Sequence, residues 1–164
     1  MTVREAQCKD AAALTRLRLA YLAEDTGLSA AQEAEFSRLL PAYFENALGK
    51  TLFGLIAESD GRPVGCALLL ISEKPMSPSF PCGRTGTVLN VYVSPAFRRQ
   101  GIGEKLMRAL EKKAQTLHLD TVELKATPMG ESLYKKLGFK EQTAYVLMKK
   151  EIKGCSLNAA AESE

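Results

Sequence analysis

Arg98, Gly101 and Gly103 stand in the pattern Arg-x-x-Gly-x-Gly within "VSPAFRRQGIGEKLM", Val93 to Met107. Two glycines two apart, ahead of a helical pattern, make a turn whose backbone N–H groups are bare and aimed along the new helix axis. Such a turn attracts an anion. A P-loop requires Gly-Lys-Ser/Thr after its second glycine, where Glu104 follows here, and a dinucleotide fingerprint requires a third glycine where Leu106 stands. Neither phosphate signature applies. Taken alone, Gly-x-Gly reads equally as a tight turn that packs a helix onto a sheet. Tyr134, at helical spacing from Leu137 in "LYKKLGF", reads by itself as a core residue. Asn90 reads either as a substrate contact or as the partner of a neighbouring backbone group. Glu24 and Asp25 read as an ordinary helix-ending acidic pair or as an attraction for a cationic amine. His118, the only histidine, reads as a surface or C-cap residue. Cys82 has no base at a known spacing that would make it a nucleophile.

The elements that must position these residues follow from periodicity. "TVREA" reads as a strand, and Asp10 as the N-cap of a helix with Leu14, Leu17 and Tyr21 or Leu22 on one face. "EDTGL" breaks that helix. Ser29 with Gln32 forms a capping box for a second helix to about Leu48, which Pro41 should kink or split. "TLFGLIAE" and "PVGCALLLIS" flank "SDGR" and read as a hairpin. The segment from Glu73 to Gly86, rich in proline, reads as a long loop of the kind that shapes binding sites. "TVLNVYV" reads as a strand closed by Ser94-Pro95, and Ile102, Leu106, Leu110, Ala114 and Leu117 mark an amphipathic helix behind the glycine turn. Lys105, Arg108, Lys112 and Lys113 fall on its solvated face. "DTVELKA" reads as a strand, "GESLYKKL" as a short helix stopped by Gly138, and "FKEQTAYVLMKK" as two final strand pieces. The whole is a mixed α/β sheet without internal repeats. Residues 1–150 are expected to form a single domain and 151–164 a frayed tail.

Composition excludes several classes. At 164 residues and 46% hydrophobic, with net charge +3, the chain can bury a proper core but is too mildly basic to signal a nucleic-acid partner. Its four cysteines lack C-x-x-C spacing, so no metal site is expected and reduced thiols in a cytoplasmic protein fit better. The N-terminus is charged and the longest strongly apolar run, "CALLLI", is far shorter than a membrane span.

The chain resembles the GNAT superfamily of N-acetyltransferases at three places in order. "TVREAQCKDAAALTRL" is similar to the usual opening, "VLNVYVSPAFRRQGIGEKLM" to the cofactor segment, and "ESLYKKLGFKE" to the Leu-Tyr-x-x-x-Gly-Phe ending. The resemblance implies a mixed, mostly antiparallel twisted sheet flanked by helices and splayed between the fourth and fifth strands. It implies that Arg98, Arg99, Gln100, Gly101, Ile102, Gly103 and Glu104 hold the pyrophosphate of acetyl-CoA, and that Val91, Tyr92 and Val93 line its pantetheine. By the same resemblance the Val91 N–H polarises the thioester carbonyl, and Tyr134 protonates the departing thiolate. Thr127 stands where family members often have Asn, and Gly130 where they often have Ala. Protein-lysine members carry a basic carboxylate at the position of Thr87, which cannot serve so. The implied activity is transfer of an acetyl group from acetyl-CoA to a primary amine of a small molecule, by direct attack in a ternary complex. Glu24, Asp25 and Asn90 are the implied substrate contacts. A protein lysine or N-terminus as acceptor, or a non-catalytic acyl-CoA sensor, is the alternative. Exposed strand edges leave a homodimer open.

Overall fold

In the computed structural model, which describes residues 1–143 and 146–152, five strands form one sheet in the order β1-β2-β3-β4-β5. They are β1 (Thr2–Glu5), β2 (Leu52–Ser59), β3 (Arg62–Glu73), β4 (Arg84–Val93) and β5 (Thr121–Leu124). The first four pair antiparallel, and β4 pairs parallel with β5. The β2–β3 hairpin turns through Asp60 and Gly61, both at positive φ (50° and 72°). Such a turn matches the twist of the strands it joins.

Two helices cover one face, α1 (Ala11–Asp25) and α2 (Ala30–Ala47). Leu14, Leu17 and Phe44 from them pack on Leu52, Ile56, Cys66 and Leu68 of the sheet. The other face carries α3 (Ile102–Thr116) and α4 (Glu131–Lys136). Ile102, Leu106, Met107, Leu110 and Ala114 form α3's buried stripe, packed on Leu55, Ala67, Leu69 and Val88, while Leu133 and Tyr134 of α4 border the same core.

Several expectations change. Pro41 lies inside α2 without splitting it. The capping box at Ser29 and Gln32 forms as expected, with hydrogen bonds of 3.2 and 3.0 Å. Asp10 precedes α1 but makes no side-chain cap to it. Its carboxylate instead accepts the Gln7 N–H and a two-pronged pair from Arg4, at 2.8 Å each. The proline-rich segment is shorter than expected, because β3 runs to Glu73 and β4 starts at Arg84. The Asp120 carboxylate holds that start by accepting the N–H groups of Cys82 and Arg84.

The two final strand pieces are also corrected. Among the described residues no strand follows α4, and Val146, Leu147 and Met148 are exposed. Alternation supplies β-propensity, but a strand needs a partner edge and a face to cover, neither of which is encoded locally. Thr143 and Val146 flank positions outside the described residues, and so does most of the expected tail, 153–164.

Candidate functional site

Two irregularities of β4 set the geometry. Its pairing with β5 stops at Val88↔Leu124, so β4 continues from Leu89 to Val93 past the last paired residue of its neighbour. On the other edge Cys66 faces Tyr92 and Leu68 faces Leu89, which leaves Ala67 opposite both Asn90 and Val91. This is a β-bulge, and Asn90 occupies it at φ 52°. A bulge re-aims the strand and disturbs the ladder locally, so Val91 sits where the sheet opens and its pairing is irregular.

Asn90 is buried and engaged through its side-chain amide, its Oδ1 and its backbone carbonyl. Its amide donates to Cys66 Sγ (3.2 Å), its carbonyl accepts that thiol (3.7 Å), and its Oδ1 accepts Nη1 of Arg18 (3.1 Å). These bonds hold a non-glycine residue in a conformation that otherwise costs energy. Burial pushes the Cys66 thiol up to about 12, so it remains an uncharged donor.

Beyond β4 the chain turns through Arg99 (φ 62°) and Gly101 (φ 74°) into α3. Gly101 is the N-cap and brings no capping side chain, so the N–H groups of Ile102, Gly103 and Glu104 have no acceptor within the helix. A Cβ on Gly101 would meet nothing within 4 Å, so the space beside this residue is open. Gly103 differs. Its Cβ would lie 3.3 Å from Cδ2 of Leu133, so this glycine serves the close approach of α4 to α3.

The side chains expected at the cofactor are partly spent on one another. Arg98 donates to the Val93 carbonyl (2.8 Å) and to Glu24 (2.6 Å), with its guanidinium 5.6 Å from the Tyr92 ring centroid. Glu24 also accepts the Tyr92 hydroxyl at 2.9 Å. The Arg98 and Tyr92 bonds hold its carboxyl below the usual range. Glu24 and Asp25 close α1 rather than lying in the break after it; Glu24 thus ties that helix end to the glycine turn. Gln100 reaches back to the Ala96 carbonyl. Glu104 bonds Lys136 (2.6 Å) and Arg108 (2.8 Å), linking α3 to α4. Thr127 accepts the Gly130 N–H on both its carbonyl and its hydroxyl, shaping the start of α4.

Tyr134 leans edge-on against Phe139, ring centroids 6.0 Å apart. A Cβ on Gly130 would stand 3.0 Å from its ring, so glycine there gives the phenol room. Burial, and then neighbouring Tyr21, raise the Tyr134 phenol above its ordinary value. It is therefore protonated at neutral pH. Cys82 is likewise raised, by the hydrogen bond to Asp120, and stays a thiol. His118 adopts φ 53° after α3, where Leu119 N–H bonds Ala114 and His118 N–H bonds Gln115, a helix-terminating pattern.

Two residues escape a reading along the chain. Glu123 of β5 accepts the Thr87 hydroxyl at 3.3 Å, putting a carboxylate beside the position where β4 has none. Arg18 reaches Asn90 from α1 across 72 residues of sequence. Only strand register and helix packing reveal either one.

Several proteins similar to this chain are acetyltransferases. The family model described as "Acetyltransferase (GNAT) family" matches residues 16–139. A GCN5-related N-acetyltransferase from Ralstonia eutropha JMP134 superposes with TM-score 0.80 at 30% identity, over 93% of this chain and 99% of that one. The crystal structure of a predicted acetyltransferase with acetyl-CoA from Clostridium acetobutylicum gives TM-score 0.79 at 26% identity, over 90% and 95%. Glucosamine 6-phosphate N-acetyltransferase 1 of Oryza sativa subsp. japonica is 34% identical over 98 residues. The match spans 58% of that curated relative's length and 58% of this chain.

Proposed function

Because the chain belongs to the GNAT family of acetyltransferases, we propose that it transfers the acetyl group of acetyl-CoA to a primary amine of a small molecule within a ternary complex. One observation carries the reading: the uncapped first turn of α3, entered through Arg99 and Gly101 at positive φ, with open space beside Gly101. The N–H groups from Arg99 to Glu104 hold the diphosphate there, and Arg98 braces the turn through Val93 and Glu24. Val91, Tyr92 and Val93 line the pantetheine arm, and Thr127 is a further contact of the coenzyme. The rice relative, named for glucosamine 6-phosphate, supports a small amine as acceptor.

The Val91 N–H faces the thioester carbonyl and stabilises the negative charge that develops on its oxygen. Transfer forms the C–N bond and breaks the C–S bond. Tyr134 gives its phenolic proton to the departing sulfur, which yields the CoA thiol and the acetylated amine. Glu123 draws off, through solvent, the proton that the attacking nitrogen sheds.

Gly101→Asp tests the anion site. Aspartate is among the residues that adopt positive φ, and it sets a carboxylate beside the first turn of α3, where it repels an anionic ligand. The variant should fold and bind acetyl-CoA at least tenfold more weakly by calorimetry. Unchanged affinity in a folded variant removes the assignment. Gly103 is the poorer choice, since a side chain there disturbs Leu133.

A further inference from the structure

Arg18 differs from the other cations around the bulge. Its guanidinium lies 5.5 Å from the Tyr21 ring centroid and gives Nη1 to the Asn90 side chain. Among the described residues it forms no salt bridge. The neighbouring Arg98 is already matched. Arg98 pairs with Glu24, which also takes the Tyr92 hydroxyl. A half-buried guanidinium has five N–H donors in a planar fork, and a neutral amide oxygen does not balance its charge. Such a group gains most from a carboxylate or phosphate, which it can hold on two oxygens at once.

Its position says which anion it meets. Asn90, which Arg18 bonds, directly precedes Val91 in the bulge, beyond the point where β4 loses its β5 neighbour. Arg18 therefore borders the opening beside the proposed thioester contact, where an acceptor has to sit. We infer that Arg18 receives an anionic group of the acceptor, a carboxylate or a phosphate monoester, so that the acceptor is a small amine with its anion a few bonds from the nitrogen. The inference rests on the acetyl-transfer reading above and narrows its substrate class.

Paired acceptors test it. Ethanolamine is compared with phosphoethanolamine, β-alanine with β-alaninamide, and glucosamine with glucosamine 6-phosphate, by release of free CoA. The anionic member of at least one pair should be preferred in kcat/KM by about 10- to 100-fold. The phosphate and carboxylate pairs separate the two sources of charge. Arg18→Gln should abolish the preference mainly through acceptor KM, and Arg18→Lys should keep part of it. A scaffold role through Asn90 would slow both members of a pair alike and leave their ratio unchanged, which overturns the inference. So does a wild-type preference for the neutral members. Calorimetric titration of phosphoethanolamine and of β-alanine into the enzyme·CoA complex supplies a readout without turnover. Heat with either one that Arg18→Gln removes supports the inference, and no heat with both, together with no turnover of any anionic acceptor, overturns it. Acetyl-CoA binding and turnover of neutral amines test the parent reading separately.

Discussion

Tyr134 is a phenol whose surroundings favour the protonated form. Burial is the main cause and Tyr21 the second. A group that works as an acid is active when protonated, so its contribution disappears as pH rises through its pKa. With that pKa raised above the ordinary value of about 10, the alkaline limb of kcat should lie above pH 10. Tyr134→Phe keeps the ring contact with Phe139 and removes only the hydroxyl that carries the proton. It should lower kcat by roughly 10²- to 10⁴-fold at unchanged acetyl-CoA affinity and lose that limb. Wild-type kcat with chemistry rate-limiting would reduce Tyr134 to a packing residue.

At the scale of elements, the start of the chain is pinned by charge as well as by the ladder. Arg4 on β1 pairs with Asp10, just ahead of α1, and with Glu58 on β2. The Arg4 bond is the largest cause holding the Asp10 carboxyl below the usual aspartate range. For a group whose folded pKa is depressed, stability is present above its unfolded pKa and is lost as pH falls through the folded one. Asp10→Asn should therefore destabilise by about 1.5–3 kcal/mol at neutral pH. The gap between wild type and variant should close below about pH 4. Urea midpoints measured across that range check both statements. The same logic of mutual support explains α2, where packing of Phe44 and Ala47 against the sheet outweighs the backbone hydrogen bond that Pro41 cannot donate.

For the molecule as a whole, the proposed cofactor site joins parts that are separate in the fold. Arg98 and Glu24 couple the turn before α3 to the end of α1, and Glu104 couples α3 to α4. A ligand at the turn therefore binds only the assembled fold, and its binding free energy adds to stability. Acetyl-CoA at a hundred times its Kd should stabilise by about 2.7 kcal/mol, a rise in Tm of roughly 5–11 °C for a chain of this size. Thermal melts with and without acetyl-CoA measure it, and Gly101→Asp should blunt the rise. An equal Tm in both conditions would mean that acetyl-CoA does not bind.

What was legible in the sequence is what depends on neighbours along the chain. The Asp60-Gly61 turn, the Ser29-Gln32 cap, the stripe of α3 and the glycine turn at its start each rest on residues within a few positions, and each forms where the pattern put it. Tertiary structure alone decided how distant segments meet. The bulge at Asn90 depends on β3 register, the Glu123 carboxylate reaches Thr87 through parallel pairing, and Arg18 meets Asn90 because α1 lies across β4. Cβ contacts separated two glycines that look alike in sequence, Gly101 beside open space and Gly103 against Leu133. The expected final strands mark the same limit from the other side. A repeating pattern states which face a strand would bury, and only the assembled sheet supplies the edge and the surface that make it one.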